Sequence, residues 1–503
     1  MVLEIFDADG LARMTYAHGV FFSRDPHLAA LGLVWPPLPA LTDLPLVLAL
    51  KPFGAVQFSG PLMSAFFSGL AVTQLNSIFK QQGLPIVWRL GWVIAFGMHK
   101  LIIHNAATGV SEAGFLFFLL LSLNGFMSWE RSGKIGGLLA AGIGAAFAFY
   151  CRYEALAWAA VMILAIAWTL WFRGQRFWRG PVEGSVMWFA IPILWMVPLW
   201  MAINWQIKGN PIFFLVGTGA TSNTPDTAFM VGPSHQFAFA YGSLPGAANL
   251  IAQQVINLAP LLLPASLFLL MGIWWKRSWS HLAYFLLAWS ILAFTYLIAW
   301  RGLLPPFSRY FFWAAPAGFI AAGAAYQLVR SSRVRAPMAF VVLAIALYST
   351  VTTAYGAWQQ LPGEPIEDPV GRAVASLVVP AEEASFMRPH AHLAKYKEYA
   401  SYLEAQPSGT LTIADASITA PVAMFMSRPQ DLILTTDKDF FPILNDPVGQ
   451  ADQILVAYPS FDSKGRSDIL RVYPDLYEKG AAWAILVHEF SGPEPWRLYK
   501  IIE

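Results

Sequence analysis

The chain has 503 residues, 57% of them hydrophobic and only 12% charged, and its mean hydropathy is +0.51. Soluble domains carry about 25% charged residues, so composition excludes an ordinary soluble protein. The net charge of +2 conceals a split: from Gly356 onward 20 acidic and 12 basic residues give −8, whereas the part before it carries +10. That asymmetry fits a basic membrane portion followed by an acidic soluble tail, and it excludes nucleic acid as a partner. The lone cysteine, Cys151, excludes an intrachain disulfide and a Cys-rich metal site.

The chain opens with MVLEIFDADGLAR, polar almost at once and unlike a signal peptide or a first membrane helix. Leu28 to Leu50 is apolar but carries Pro36, Pro37, Pro39 and Pro45, too many for a clean spanning helix. Residues 1–55 are therefore expected to be an external loop with helical pieces lying on the membrane surface. Ten apolar runs follow, each near the 17–25 residues that cross a bilayer. They fall at about 56–79, 85–104, 113–129, 135–151, 155–172, 185–206, 248–275, 280–300, 310–329 and 336–355. Together they predict a polytopic α-helical transmembrane domain over 56–355. The run GGLLAAGIGAAFAF has small residues at a spacing that lets two helices pack backbone to backbone.

After Tyr355 the pattern changes. LPGEPIEDP reads as a linker, His390–Ala405 as a helix, and LTIAD, DLILTT, QILVAY, WAILVHEF and WRLYKII as short strands. Residues 356–503 are thus expected to form a small soluble α/β domain. One set of alternate loops holds eleven Lys and Arg and the other about five, which puts the first set in the cytoplasm. The first 55 residues, the loop at about 207–247 and the C-terminal domain then face outside the inner or plasma membrane. Ten spans leave both termini external, and an apolar helix ahead of Met1 would be needed to carry the N-terminus there.

Polar groups at the outer span ends stand out, because ionisable residues at membrane depth are expensive and by default functional. They are Asp7, Asp9 and Arg13; His104, Asn105, Ser111 and Glu112; Arg152 and Glu154; and Arg301, Arg309 and Tyr310. The topology puts all four groups on one face, where a single cavity could gather them. Each also has a plainer reading. Asp9 is then a solvated acid near a terminus, Ser111 an N-cap with Glu112 favoured by the helix dipole, and Arg152 and Glu154 a pair at a helix end. Arg309 becomes an interfacial anchor and His104 a hydrogen-bonded interface histidine. In the C-terminal domain Asp415, Asp437 and Asp439 read as solvated turn acids, since TTDKDF lacks the glycine and distal glutamate of a calcium loop.

Four stretches carry a family likeness. DGLAR at Asp9–Arg13, followed by RDPHLAALGLVWPPLPAL, resembles the first external loop of GT-C-fold glycosyltransferases, the superfamily of protein O-mannosyltransferases and lipid A aminoarabinose transferases. HNAATGVSEAGFLFF at His104–Phe118 resembles their next external loop and helix. RYEAL at Arg152–Leu156 and SRYFFWAAP at Ser308–Pro316 are similar to two further landmarks of the family. The resemblance implies transfer of a sugar from a polyprenyl-phosphate donor to an external glycan, lipid or protein acceptor, among membrane lipids, by an inverting displacement. It assigns the general base to Asp9, with Asp7 as the alternative. Arg309 with Tyr310 would hold the donor phosphate, Arg301 being a secondary ligand. Arg13, His104, Asn105, Glu112, Arg152 and Glu154 would shape the pocket. No cofactor is implied firmly; some relatives use a divalent metal, and one strong acidic candidate favours metal independence here. A transporter or lipid flippase, and a non-catalytic membrane scaffold presenting the C-terminal domain, are the competing classes.

Overall fold

The computed structural model describes residues 7–175, 180–217, 237–304, 307–358, 391–415, 418–459, 467–492 and 495–503. The linker LPGEPIEDP and the middle of the 207–247 loop lie outside these residues. Asp7 caps α1 (Ala8–Phe22), its carboxylate accepting from the Asp9 N–H at 2.9 Å and so satisfying a donor the helix leaves orphaned. A single turn at Leu28–Leu31 and helix α2 (Leu38–Leu50) complete the N-terminal segment. The prolines do interrupt it between these two pieces. Pro39, however, sits in the first turn of α2, which needs no N–H there, and α2 continues through Pro45.

Six helices are long and apolar enough to cross a membrane: Val56–Gln81, Glu112–Ser132, Ala155–Phe172, Pro181–Lys208, Trp279–Trp300 and Ser332–Thr353. Two further pairs are bent, Ile86–Gly97 with Lys100–Ala107 by 63° and Leu244–Leu258 with Leu262–Lys276 by 103°, which gives eight spans if each pair counts as one. The two remaining expected spans are helices of only 17 and 15 residues, Ile135–Cys151 and Ala314–Leu328. The described residues therefore hold six to eight candidate spans rather than ten, because two of the apolar runs fold as helices of 17 and 15 residues, at and below the short end of the spanning range.

The small-residue run packs as its spacing predicts. A Cβ on Gly144 of Ile135–Cys151 would come 2.7 Å from the Ser122 N of the neighbouring Glu112–Ser132 helix, so only glycine lets the two backbones meet there. The breaks are satisfied locally. Pro260 and its neighbours end the Leu244–Leu258 helix and free the Leu258 carbonyl, which accepts from His99 Nε2 at 2.7 Å and Ser349 Oγ at 2.9 Å. His99 lies at the other bend, so each interruption is stitched to the other, as a dry interior requires.

The C-terminal domain contains the expected helix, Ala391–Glu404, and all five expected strands: β1 (Thr412–Ala414), β2 (Leu432–Leu434), β3 (Gln453–Val456), β4 (Ala484–Glu489) and β5 (Arg497–Ile501). They form one sheet in the order β2-β1-β3-β5-β4, with β2, β1 and β3 parallel and β5 and β4 antiparallel. One face buries Ile413, Ile433, Ile454 and Tyr499 beneath short helices. The other face shares a core with the Ala391–Glu404 helix and with Leu11, Met14, Ala17 and Val20 of α1. The domain is thus seated on α1, the element that carries Asp9.

Candidate active site

α1 approaches the membrane helices closely. A Cβ on Gly10 would lie 2.2 Å from the Thr108 carbonyl oxygen, so only glycine lets α1 sit against the loop between Lys100–Ala107 and Glu112–Ser132. This contact brings the start of α1 against the short helical turn Ser308–Phe311, which carries Arg309 and Tyr310.

Arg309 is the hub. Its Nη1 lies 2.6 Å from Asp7 Oδ1, its Nη2 is bonded to Asp9 Oδ2, and its Nε is 4.0 Å from Glu112 Oε1. Burial opposes its charge, but Asp7 and Asp9 more than offset this and raise its pKa well above the ordinary arginine value. Arg152 is the second cation. Nη1 bonds Glu112 Oε1 and Nη2 bonds Glu154 Oε1, each at 2.7 Å, and the guanidinium lies 5.0 Å over the Tyr310 ring. Glu112 therefore bridges the two arginines, and Tyr310 lies against both, Arg309 being 5.5 Å from its ring. The anchor reading of Arg309 and the solvated reading of Asp9 give way to a shared ion pair.

His104 Nε2 is 3.9 Å from Asp7 Oδ2 and is buried. Asn105 is also fully buried, with neither amide atom hydrogen bonded. Ser111 stands at the N-cap position of its helix, but its hydroxyl turns to Glu112 Oε2 at 3.4 Å instead of to a backbone N–H. Arg13, one turn after Asp9, is buried with its guanidinium 4.8 Å over Trp35. Arg301 is not drawn in: it is exposed at the end of its helix and stacks on Trp300. Among the described residues no group of three or more His, Cys, Asp or Glu side chains is arranged to hold a metal, and no step below is routed through one.

Glu112→Gln removes the charge between two buried arginines, and breaking a buried pair costs about 3–5 kcal/mol. The thermal midpoint in detergent should fall by several degrees, and Arg152→Met in the same background should recover part of the loss. An unchanged midpoint would mean that the bridge contributes nothing to stability.

Of the three C-terminal acids only Asp439, half-exposed, resembles the solvated turn residue expected. Asp415 and Asp437 are buried, Asp437 because its carboxylate accepts from the Leu434 N–H at 3.0 Å and faces Arg24 Nε at 3.4 Å. Arg24 also bonds Asp439, while Asp25 receives Lys438 Nζ and the Lys438 N–H at 3.3 Å each. Residues just after α1 are thus clasped by the turn after β2. None of Arg24, Asp25 and Lys438 stood out in the sequence, since their pairing spans some four hundred residues and no local pattern marks it. Taking one partner from a buried polar group costs about 1–3 kcal/mol, so Arg24→Ala, which leaves the buried Asp437 carboxylate without its guanidinium, should loosen the clasp by about that much. Faster hydrogen exchange across α1 with little change within the β-sheet is the expected readout.

The bent helices, the ion-pair network set on a short helical turn and the C-terminal α/β domain belong to a GT-C-type membrane fold. Among solved structures the chain is similar to ArnT from Cupriavidus metallidurans in the apo state, with a TM-score of 0.53 at 13% identity over 99% of this chain and 94% of that one. The Archaeoglobus fulgidus oligosaccharyltransferase in the apo form gives a TM-score of 0.45 at 11% identity over 90% of this chain and 66% of that one. No family model matches the chain, and no curated protein matches its sequence.

Proposed function

We propose that this protein is a membrane glycosyltransferase that moves a sugar from a polyprenyl-phosphate donor to an acceptor hydroxyl or amine outside the membrane. The observation that carries this reading is Arg309 held between Asp7 and Asp9. A proton acceptor and a phosphate ligand are then neighbours in one buried network, which is what the displacement needs. The acceptor oxygen or nitrogen attacks the anomeric carbon and its proton passes to Asp9. The bond from that carbon to the phosphate oxygen breaks, and the lipid phosphate leaves with the electron pair, held by Arg309 and the Tyr310 hydroxyl.

In-line attack places the incoming and departing atoms on opposite sides of the sugar carbon. Asp9 and Arg309 must therefore part as the sugar enters, and the donor phosphate takes the place of the carboxylates on Arg309. A guanidinium fork suits either partner. Asp7, Asp9, Glu112 and Glu154 outnumber the cations Arg13, Arg152 and Arg309. That balance discourages free anions and favours a donor whose phosphate is a single negative charge.

The test is transfer of radiolabelled sugar from polyprenyl-phosphate donors by membranes containing the full chain. Asp9-dependent transfer supports the reading. Absence of transfer from every hexose and pentose donor, by a protein shown to be inserted and folded, would favour the transporter or scaffold classes.

A further inference from the structure

Asp43 plays no part in the scheme above, yet its surroundings are unusual. It sits in α2 with no exposed surface, and neither carboxylate oxygen has a hydrogen-bond partner. Burying a carboxyl without partners is costly, and evolutionarily cheap alternatives of the same shape exist, so the position asks for an occupant. Its place is close to the active-site network. Leu46, one turn further along α2, packs with Met63, Phe67 and Ala113, and Ala113 is the neighbour of Glu112. The charge that acts on Asp43 is that of Arg13, which also lies within electrostatic reach of Glu112. Arg13 itself has Nε and Nη1 buried and without partners. An acid and a guanidinium, both buried with hydrogen-bonding atoms left over, thus lie within electrostatic reach of one another, Arg13 being one helical turn from the proposed base.

The groups that can fill two open carboxyl acceptor positions are hydrogen-bond donors. A phosphate suits the pair less well, because it brings only acceptors and so leaves one carboxyl oxygen unfilled. Sugar hydroxyls donate to the carboxyl and accept from the guanidinium, and one ring can engage both. We propose that Asp43, with Arg13, forms a subsite for the hydroxyl groups of a sugar ring, and so helps set which sugar the enzyme handles. Burial pushes the Asp43 carboxyl up to about 8 against the opposing pull of the Arg13 charge, so near neutrality it can also donate one hydrogen bond. The subsite rests on the glycosyltransferase reading, and the sugar it holds belongs either to the donor or to an acceptor glycan.

The experiment compares wild type, Asp43→Asn and Asp43→Ser on the donor that wild type uses, and on versions of that donor and of a glycan acceptor each lacking one ring hydroxyl. Losing a partner of a buried polar group costs about 1–3 kcal/mol, so the variants should lose about 10–100-fold in kcat/KM on the complete substrate. On one deoxy substrate that deficit should shrink to about threefold or less. Coupling to a donor hydroxyl places the donor sugar in the subsite, and coupling to an acceptor hydroxyl places the acceptor there. Equal losses on every substrate, with a lowered thermal midpoint, would overturn the proposal in favour of an internal counter-charge for Arg13. So would wild-type rates throughout. If wild type itself transfers nothing, the enzyme reading fails first and the subsite with it, and that result is told apart because no variant is involved.

Discussion

Arg309→Ala should lower kcat/KM for the polyprenyl-phosphate donor by about 10²–10³-fold, the range seen when one preorganised donor to a developing negative charge is deleted. The loss should fall on the donor: at saturating donor, KM for the acceptor should stay near the wild-type value. Arg309→Lys should recover only part of the rate, because an ammonium keeps the charge but cannot fork between two partners. The geometry supplies a second signature. Arg309 is shared by Asp7 and Asp9, so its removal leaves two acids without their common cation and with Glu112 nearby. Arg309→Ala should therefore also melt earlier, and combining it with Asp7→Asn should recover stability without recovering transfer. Equal losses for donor and acceptor, or recovered transfer in the double variant, would remove the phosphate-binding role and leave a structural ion pair.

Asp9→Asn should all but abolish transfer, with a fall of about 10²–10⁴-fold from loss of general-base catalysis, while the protein folds normally. Asp7 offers the control. Its carboxylate is the N-cap of α1, and asparagine caps as well as aspartate does. Asp7→Asn should thus keep the helix and retain measurable transfer, whereas Asp7→Ala should cost about 1 kcal/mol of stability. Both acids touch the same guanidinium, so geometry alone treats them alike, and the rates decide between them. Should Asp7→Asn abolish transfer and Asp9→Asn spare it, the base is Asp7 and the helix cap doubles as the proton acceptor.

Much of the fold was legible in the sequence because its signals are local. Apolar runs announce helices whatever they touch, and the five strand-like runs of the C-terminal domain all became strands. The site was legible in part for the same reason, since an ionisable residue at the end of an apolar run is conspicuous against its neighbours. Arg309, Arg152, Glu112, Asp7 and Asp9 were found this way and do meet. Arg301 was conspicuous by the same criterion but turns outward, because nothing in a single sequence tells which side of a helix end faces the bundle. What escaped was long-range. The stitching of His99 to the Leu258 carbonyl depends on two interruptions meeting in space. Asp43 lies in the proline-rich segment read as lying on the membrane surface, and only packing shows it buried with neither oxygen hydrogen bonded. Asp437 looked like a turn acid because Arg24, its partner, is remote in the chain.

The clasp between α1 and the turn after β2 has a consequence for how the chain assembles as it is made. The contact between Arg24 and Asp439 spans 415 residues, so α1 is made well ahead of its partner. At about 5–20 residues per second of synthesis, the helix bearing Asp9 waits on the order of tens of seconds for the surface that seats it. A half-made chain already has Asp9 but lacks the surface that steadies the helix bearing it. The fold thereby ties the seating of α1 to synthesis of the C-terminal domain.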